Sequence, residues 1–319
     1  MLKVSPVLRA PGAHATRLLR TATLALFGCA LAWSALDSAR AAPSQTVVEA
    51  VQLPAWVERN GQRRPAEPGA QLRANDKVIT AAGSRMLLRM DDRSTIKLGE
   101  QTEFLIQSLD TSRPGVAAPT EQKSSLKLIT GVFRYATDYT SKALGNKREL
   151  NIELATATVG IRGTDFWSMT DAAHDAVCVF EGKVEVERDG QAGIELNKPG
   201  AFWVVFTGQP EKPAGQATPD QLAKFIGQAE MQPGQGVLLQ GGRWRAVAAT
   251  LPGAAEAVAL RTRLQAAGYP ADMVNKAGRH EVRINQLATR EDAEAVVKRL
   301  QADASLGVRE GRVALAAGN

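Results

Sequence analysis

The sequence predicts a multidomain protein in which an all-β domain precedes a small α+β domain of ferredoxin-like βαββαβ order. Three observations carry that prediction. Between Val47 and Phe206, short runs such as VITAA, RMLLRM, EFLIQ, LNIEL and KVEVE alternate apolar with polar residues, and glycine, aspartate or asparagine falls in many of the gaps. Beyond Gly236 the apolar spacing changes, in two stretches, from two residues to three and four. Between these regions, residues 207–236 are rich in proline, glycine and glutamine, the composition of a linker.

Residues 1–41 read as a leader. Lys3, Arg9, Arg17 and Arg20 precede the apolar run TATLALFGCALAWSAL, and Ala39 and Ala41 flank Arg40 as the small residues of a cleavage site. The pattern predicts a secretory signal peptide cut after Ala41. The apolar stretch from Ala22 to Leu36 is shorter than the roughly 20 residues that cross a bilayer as a helix. Taking the leader's five bases and one acid from the 39 and 33 of the whole chain leaves 34 and 32, a net of +2. The basic balance of the full chain therefore belongs largely to the leader, and nucleic-acid binding loses its electrostatic footing. Cys178 is the one cysteine beyond the leader and lies within AVCVF, so a buried thiol and no internal disulfide are expected.

Residues 42–206 predict the all-β domain, as a sandwich, a barrel or a coiled solenoid of short strands. The segments TSRPGVAAPTEQKSS and SKALGNKR read as loops. Within this domain TATVGIRGTDF holds two glycines three apart, but a strand follows them rather than a helix that would bind phosphate. Gly160 and Gly163 are expected to permit a bulge or a close approach of strands. Arg162 is expected to tie carbonyls, and Asp165 to cap the turn or pair with it.

In residues 207–236, Thr218 followed by Pro219 predicts the start of a short helix. Residues 237–319 form the second domain. Arg243 to Ala248 alternates as a strand, and Ala257, Leu260, Leu264 and Ala267 stripe a helix that stops at Gly268. Ala271–Lys276 and His280–Asn285 are further strands. Thr289 and Asp292 are spaced as a capping box before a helix striped by Ala293, Val296, Val297 and Leu300. Period two turns Trp244, Ala246, Ala248, Val282 and Ile284 toward the helices. It turns Arg243, Arg245, Val247, Arg279, Glu281 and Arg283 toward the other, uncovered face. Residues 240–319 carry 12 bases and 8 acids.

Catalytic patterns are missing from the sequence. His174 and His280 fall in different predicted domains, and no HExxH, CxxC, GxSxG or Walker-type loop occurs. The expectation is a non-enzymatic protein with no catalytic residues, no metal site and no cofactor.

Two families are resembled. ATATVGIRGTDFWSM, then VCVFEGKVEVE and LNKPGAFWVV, together with the earlier NDKVITAAGSRMLLRMDDRSTIKL, is similar to FecR-type domains. The resemblance makes Gly160, Arg162, Gly163, Thr164, Asp165 and Phe166 a structural motif of that family. GRWRAVAATLPGAAEAVALRTRLQAAGYPADMV and HEVRINQLATREDAEAVVKRLQ resemble the two halves of a SPOR domain. That likeness implies binding to peptidoglycan glycan strands that lack stem peptides. It sets Thr250 in the position of the family's serine, beside the six outward residues named above.

The expected function is thus that of an exported envelope protein of the periplasm. It would dock on glycan strands through the second domain, at the division site, while the first domain meets a ligand or an envelope or division protein. No membrane span is expected after cleavage. The alternative is a FecR-type signal relay held in the membrane by an uncleaved N-terminal segment.

Overall fold

The computed structural model describes residues 46–112, 121–138, 147–161 and 163–316. The leader, Arg162 and parts of both predicted loops lie outside the described residues.

The β region forms two sheets that share one strand. The chain runs through β1 (Thr46–Gln52), β2 (Ala55–Arg59), β3 (Gln62–Pro65), β4 (Gln71–Leu72), β5 (Lys77–Thr80), β6 (Arg85–Arg89), β7 (Thr95–Leu98), β8 (Glu103–Ser112) and β9 (Glu121–Ala136). It continues as β10 (Lys147–Glu153), β11 (Thr158–Ile161), β12 (Asp165–Thr170), β13 (His174–Glu181), β14 (Val184–Glu187), β15 (Ile194–Leu196), β16 (Ala201–Phe206) and β17 (Gly215–Gln216). One sheet has the order β3, β2, β5, β8, β9, β10, β11, β14, β15. The other runs β1, β6, β7, β9, β12, β13, β16, β17. All these pairs are antiparallel except β9 with β10.

Strand β9 passes between sheets at Gly131. Its φ is +99°, and a Cβ there would come 2.5 Å from the Thr102 Cα, so only glycine fits the corner. The Thr102 hydroxyl holds the bend by accepting from Val132 N–H at 3.0 Å and donating to its carbonyl at 3.1 Å. The runs LKLI and VFRYA, which read as separate strands, are therefore one 16-residue strand. The polar stretch expected to be a loop is shorter than its composition implies. Ser112 pairs with Glu121, so ladder pairing overrides polarity at both ends of that segment.

Inward side chains of the two sheets share one core. Phe133 meets Phe104 at 5.6 Å and Phe166 edge-on at 5.4 Å, with Tyr135 6.0 Å from Phe166. Each such ring contributes roughly 1.5–3 kcal/mol by burial, with a smaller gain from the tilted geometry.

The proline-rich segment carries the predicted helix, α1 (Pro219–Ala229). Thr218 caps it in a reciprocal box with Gln221, at 3.3 and 2.8 Å. Phe225 stacks 4.1 Å from Trp167, so α1 covers the outer face of β12. This is why Phe166 and Trp167, on opposite faces of one strand, are both buried.

The chain ends as β18 (Val237–Leu239), β19 (Trp244–Leu251), α2 (Ala254–Ala266), β20 (Ala271–Lys276), β21 (Arg279–Leu287), α3 (Arg290–Ala302) and β22 (Arg312–Leu315). The four long strands are ordered β20, β21, β19, β22, all antiparallel, with both helices packed on one face. Ala257, Leu260, Leu264, Ala293, Val296 and Leu300 are buried there with Ala246, Val282 and Ile284.

This sheet joins the β region without a gap. β18 pairs with β1 on one side and meets β21 on the other. Asp292, fully buried, accepts from Gly236 and Val237 N–H at 2.9 Å each while boxing Thr289 at the start of α3. Arg299 of α3 donates to the carbonyls of Leu53 and Gln235.

Candidate functional site

The sequence pointed to two places, the TATVGIRGTDF stretch and the uncovered face of the C-terminal sheet. In the first, β11 carries Thr158–Ile161 in one sheet, and β12 begins at Asp165 in the other. The motif is a crossing between sheets. Thr164 is buried and tied at both ends, accepting from Thr137 N–H at 3.1 Å and donating to the Lys183 carbonyl at 2.8 Å. Gly182 packs so tightly here that a Cβ would stand 2.7 Å from the Gly163 carbonyl.

Gly160 plays no such part, because a Cβ on it would meet nothing nearer than 3.9 Å. The predicted irregularity lies instead between Asp165 and Phe166, where the ladder with β13 slips. Among the described residues Asp165 caps no turn; it takes a bidentate pair from Arg134 at 2.8 and 2.6 Å. Arg134 also reaches Glu230, which ends α1 and meets Lys97. Hydrogen bonding to Asp165 raises the Arg134 pKa against the opposing effect of burial. These charges tie β7, β9, β12 and the end of α1 together.

On the C-terminal sheet, pairing puts Val247 between Arg283 and Arg312, and Glu281 between Thr250 and Val274. Arg243 and Arg279 are exposed, and Arg279 donates to the Thr250 carbonyl at 2.9 Å. The face is not as open as alternation alone predicts. Arg245 is 9% exposed, Val247 1% and Glu281 3%. Long cationic side chains gather over the centre of the sheet and close it.

Glu281 is the focus of that gathering. Lys276 lies 3.0 Å from it, Arg312 2.7 Å and Arg283 3.5 Å, while Arg283 is also 3.5 Å from Asp272. Burial alone would raise the Glu281 pKa. The hydrogen bond from Lys276 and the charges of Lys276, Arg312 and Arg283 reverse that and hold it below the usual range. Three cations against one buried carboxylate leave net positive charge pointing outward. Two ladder irregularities shape the patch, one on each side of Ala246 and Val247. The second inserts Ala248 and brings Thr250 opposite Glu281. Lys276 and Arg312 were not singled out from sequence. Their signal was register, since each neighbours a predicted residue across a ladder.

Among the described residues no three or more His, Cys, Asp and Glu side chains converge to hold a metal. No described helix is long and apolar enough to cross a membrane.

Residues 76–185 match the family model for FecR protein, and residues 240–308 match that for the SPOR domain. The chain carries a FecR region and a C-terminal SPOR domain. The FecR match spans the two-sheet region from Asp76 into β14, and the SPOR match takes in β19 through α3. Both are binding or regulatory families rather than enzyme families, and the pair indicates an envelope or periplasmic protein. No curated protein matches the chain.

Two solved structures of a protein from Parabacteroides distasonis ATCC 8503, described as an anti-sigma factor, are similar to parts of it. One shares 14% identity over 47% of this chain and 64% of that chain, with a TM-score of 0.36. The other shares 15% identity over 76% and 99%, with a TM-score of 0.36.

Proposed function

We propose that this protein is exported by a cleaved leader and binds peptidoglycan glycan strands through the bare face of its SPOR sheet, at the division site. The observation that carries this reading is the cationic patch around Glu281. Arg279, Arg283, Lys276 and Arg312 present donors on a surface left uncovered by the two helices, with Arg243 exposed at the strand's start. Guanidinium groups suit the sugar hydroxyls and the lactyl carboxylates of muramic acid. Val247 and Glu281 form the floor, and Thr250 borders it. The FecR region serves as a module for a ligand or for an envelope or division protein.

A pull-down of the mature chain on purified sacculi tests this. Retention that falls when Arg243 and Arg279 are both changed to alanine is the expected outcome. No retention, or retention indifferent to those changes, contradicts it. Both residues are exposed, and neither takes part in the Glu281 cluster, so the fold should survive their loss.

A further inference from the structure

A polar cleft of about 400 Å³ lies where the turn at Glu67 meets the SPOR domain. Its walls come from both regions: Glu67 and Pro68 before β4, Arg261 and Gln265 of α2, Asp272 of β20, and Asn285 and Gln286 at the irregular end of β21. That volume is within the range of small-molecule sites, roughly 300–1,000 Å³.

Several of its polar groups lack a protein partner within the described residues, although Glu67, Asp272 and Gln286 are exposed. Among the described residues, the Glu67 carboxylate has no hydrogen bond or ion pair, and neither has the Arg261 guanidinium, whose Nε is buried. The Asn285 and Gln286 amides are likewise without side-chain partners among these residues. Burial raises the Glu67 pKa, and the nearby negative charge of Asp272 raises it further. A cation placed there would relieve both effects, while Arg261 wants an anion. The two charges do not satisfy each other.

We infer that this cleft is a binding site for a small zwitterion of dipeptide size, with the ligand's ammonium held by Glu67 and Asp272 and its carboxylate by Arg261. Asn285 and Gln286 hydrogen-bond the amide between them. Asp272 also lies 3.5 Å from Arg283 of the cationic face. The test is therefore made at Glu67 and Arg261, which make no hydrogen bond or ion pair with that face among the described residues, and sacculus binding can stand or fall without them.

Calorimetric titration of the mature chain with alanyl-alanine, in its D,D and L,L forms, tests the site. Binding of either form is expected, weakened more than tenfold by Glu67→Gln and by Arg261→Met with the melting temperature unchanged. Preference for D,D marks a cell-wall fragment, and equal binding marks a general peptide; both outcomes support the site. Amide NMR shifts on the unaltered chain supply a second readout and should cluster at Ala271, Asn285 and Gln286. No heat with either form, or shifts confined to other residues, overturns the inference.

Discussion

The indole of Trp56 occupies the space that any side chain at Gly268 would need. A Cβ on Gly268 would come 2.7 Å from the Trp56 ring, and the glycine's φ of +82° ends α2 in the left-handed region. The same ring donates from Nε1 to the Ala266 carbonyl at 3.1 Å, and Ala55 N–H donates to the Gly268 carbonyl at 3.2 Å. The helix end of the SPOR domain is thus seated on β2.

Gly268→Ala should therefore destabilise the protein by roughly 2–4 kcal/mol, combining left-handed strain with overpacking. A urea midpoint that does not move would show that this seat is loose.

Asp292→Ala should cost about 3 kcal/mol or more. It removes a helix cap and leaves the buried N–H groups of Gly236 and Val237 without their acceptor. Asp292→Asn keeps one acceptor oxygen and should lose less. Equal midpoints for the two variants would contradict the assignment of that carboxylate as a shared acceptor.

Glu281 gives a pH signature. Its folded pKa lies below the ordinary value, so its contribution is present above the unfolded pKa and is lost as pH falls through the folded one. Stability should decline below about pH 4.3, the unperturbed glutamate value. Glu281→Gln should lower stability at neutral pH and flatten that acid decline. An unchanged acid slope in the variant would remove Glu281 from the account.

Cys178 is buried, and burial raises its thiol pKa to about 12. In the mature chain it should resist a disulfide reagent at pH 8 until denaturant is added. Rapid labelling of the native protein would mean that the β13 region opens readily.

Much of this fold was legible in local patterns. Thr218 and Thr289 marked helix starts through caps that depend only on residues three positions away. Gly268 marked a helix end, and alternation placed Ala246, Val282 and Ile284 on one face. Long-range features were not legible. The seating of α2 on Trp56 joins residues more than 200 apart, and the merging of two runs into β9 depends on a corner at Thr102. The site was half legible. Alternation found Arg283 and Glu281, but the irregularity at Ala248 and the arrival of Arg312 from β22 are matters of pairing. So the sequence implied a bare row of arginines, whereas the structure has a carboxylate sunk beneath three cations.

The most direct measurement is a binding isotherm of the mature chain on glycan strands stripped of stem peptides, set beside that of Arg279→Glu. Charge reversal at this exposed position should weaken binding at least tenfold while leaving the melting temperature in place. Equal affinity in the two proteins would mean that the cell wall is held elsewhere, or not at all.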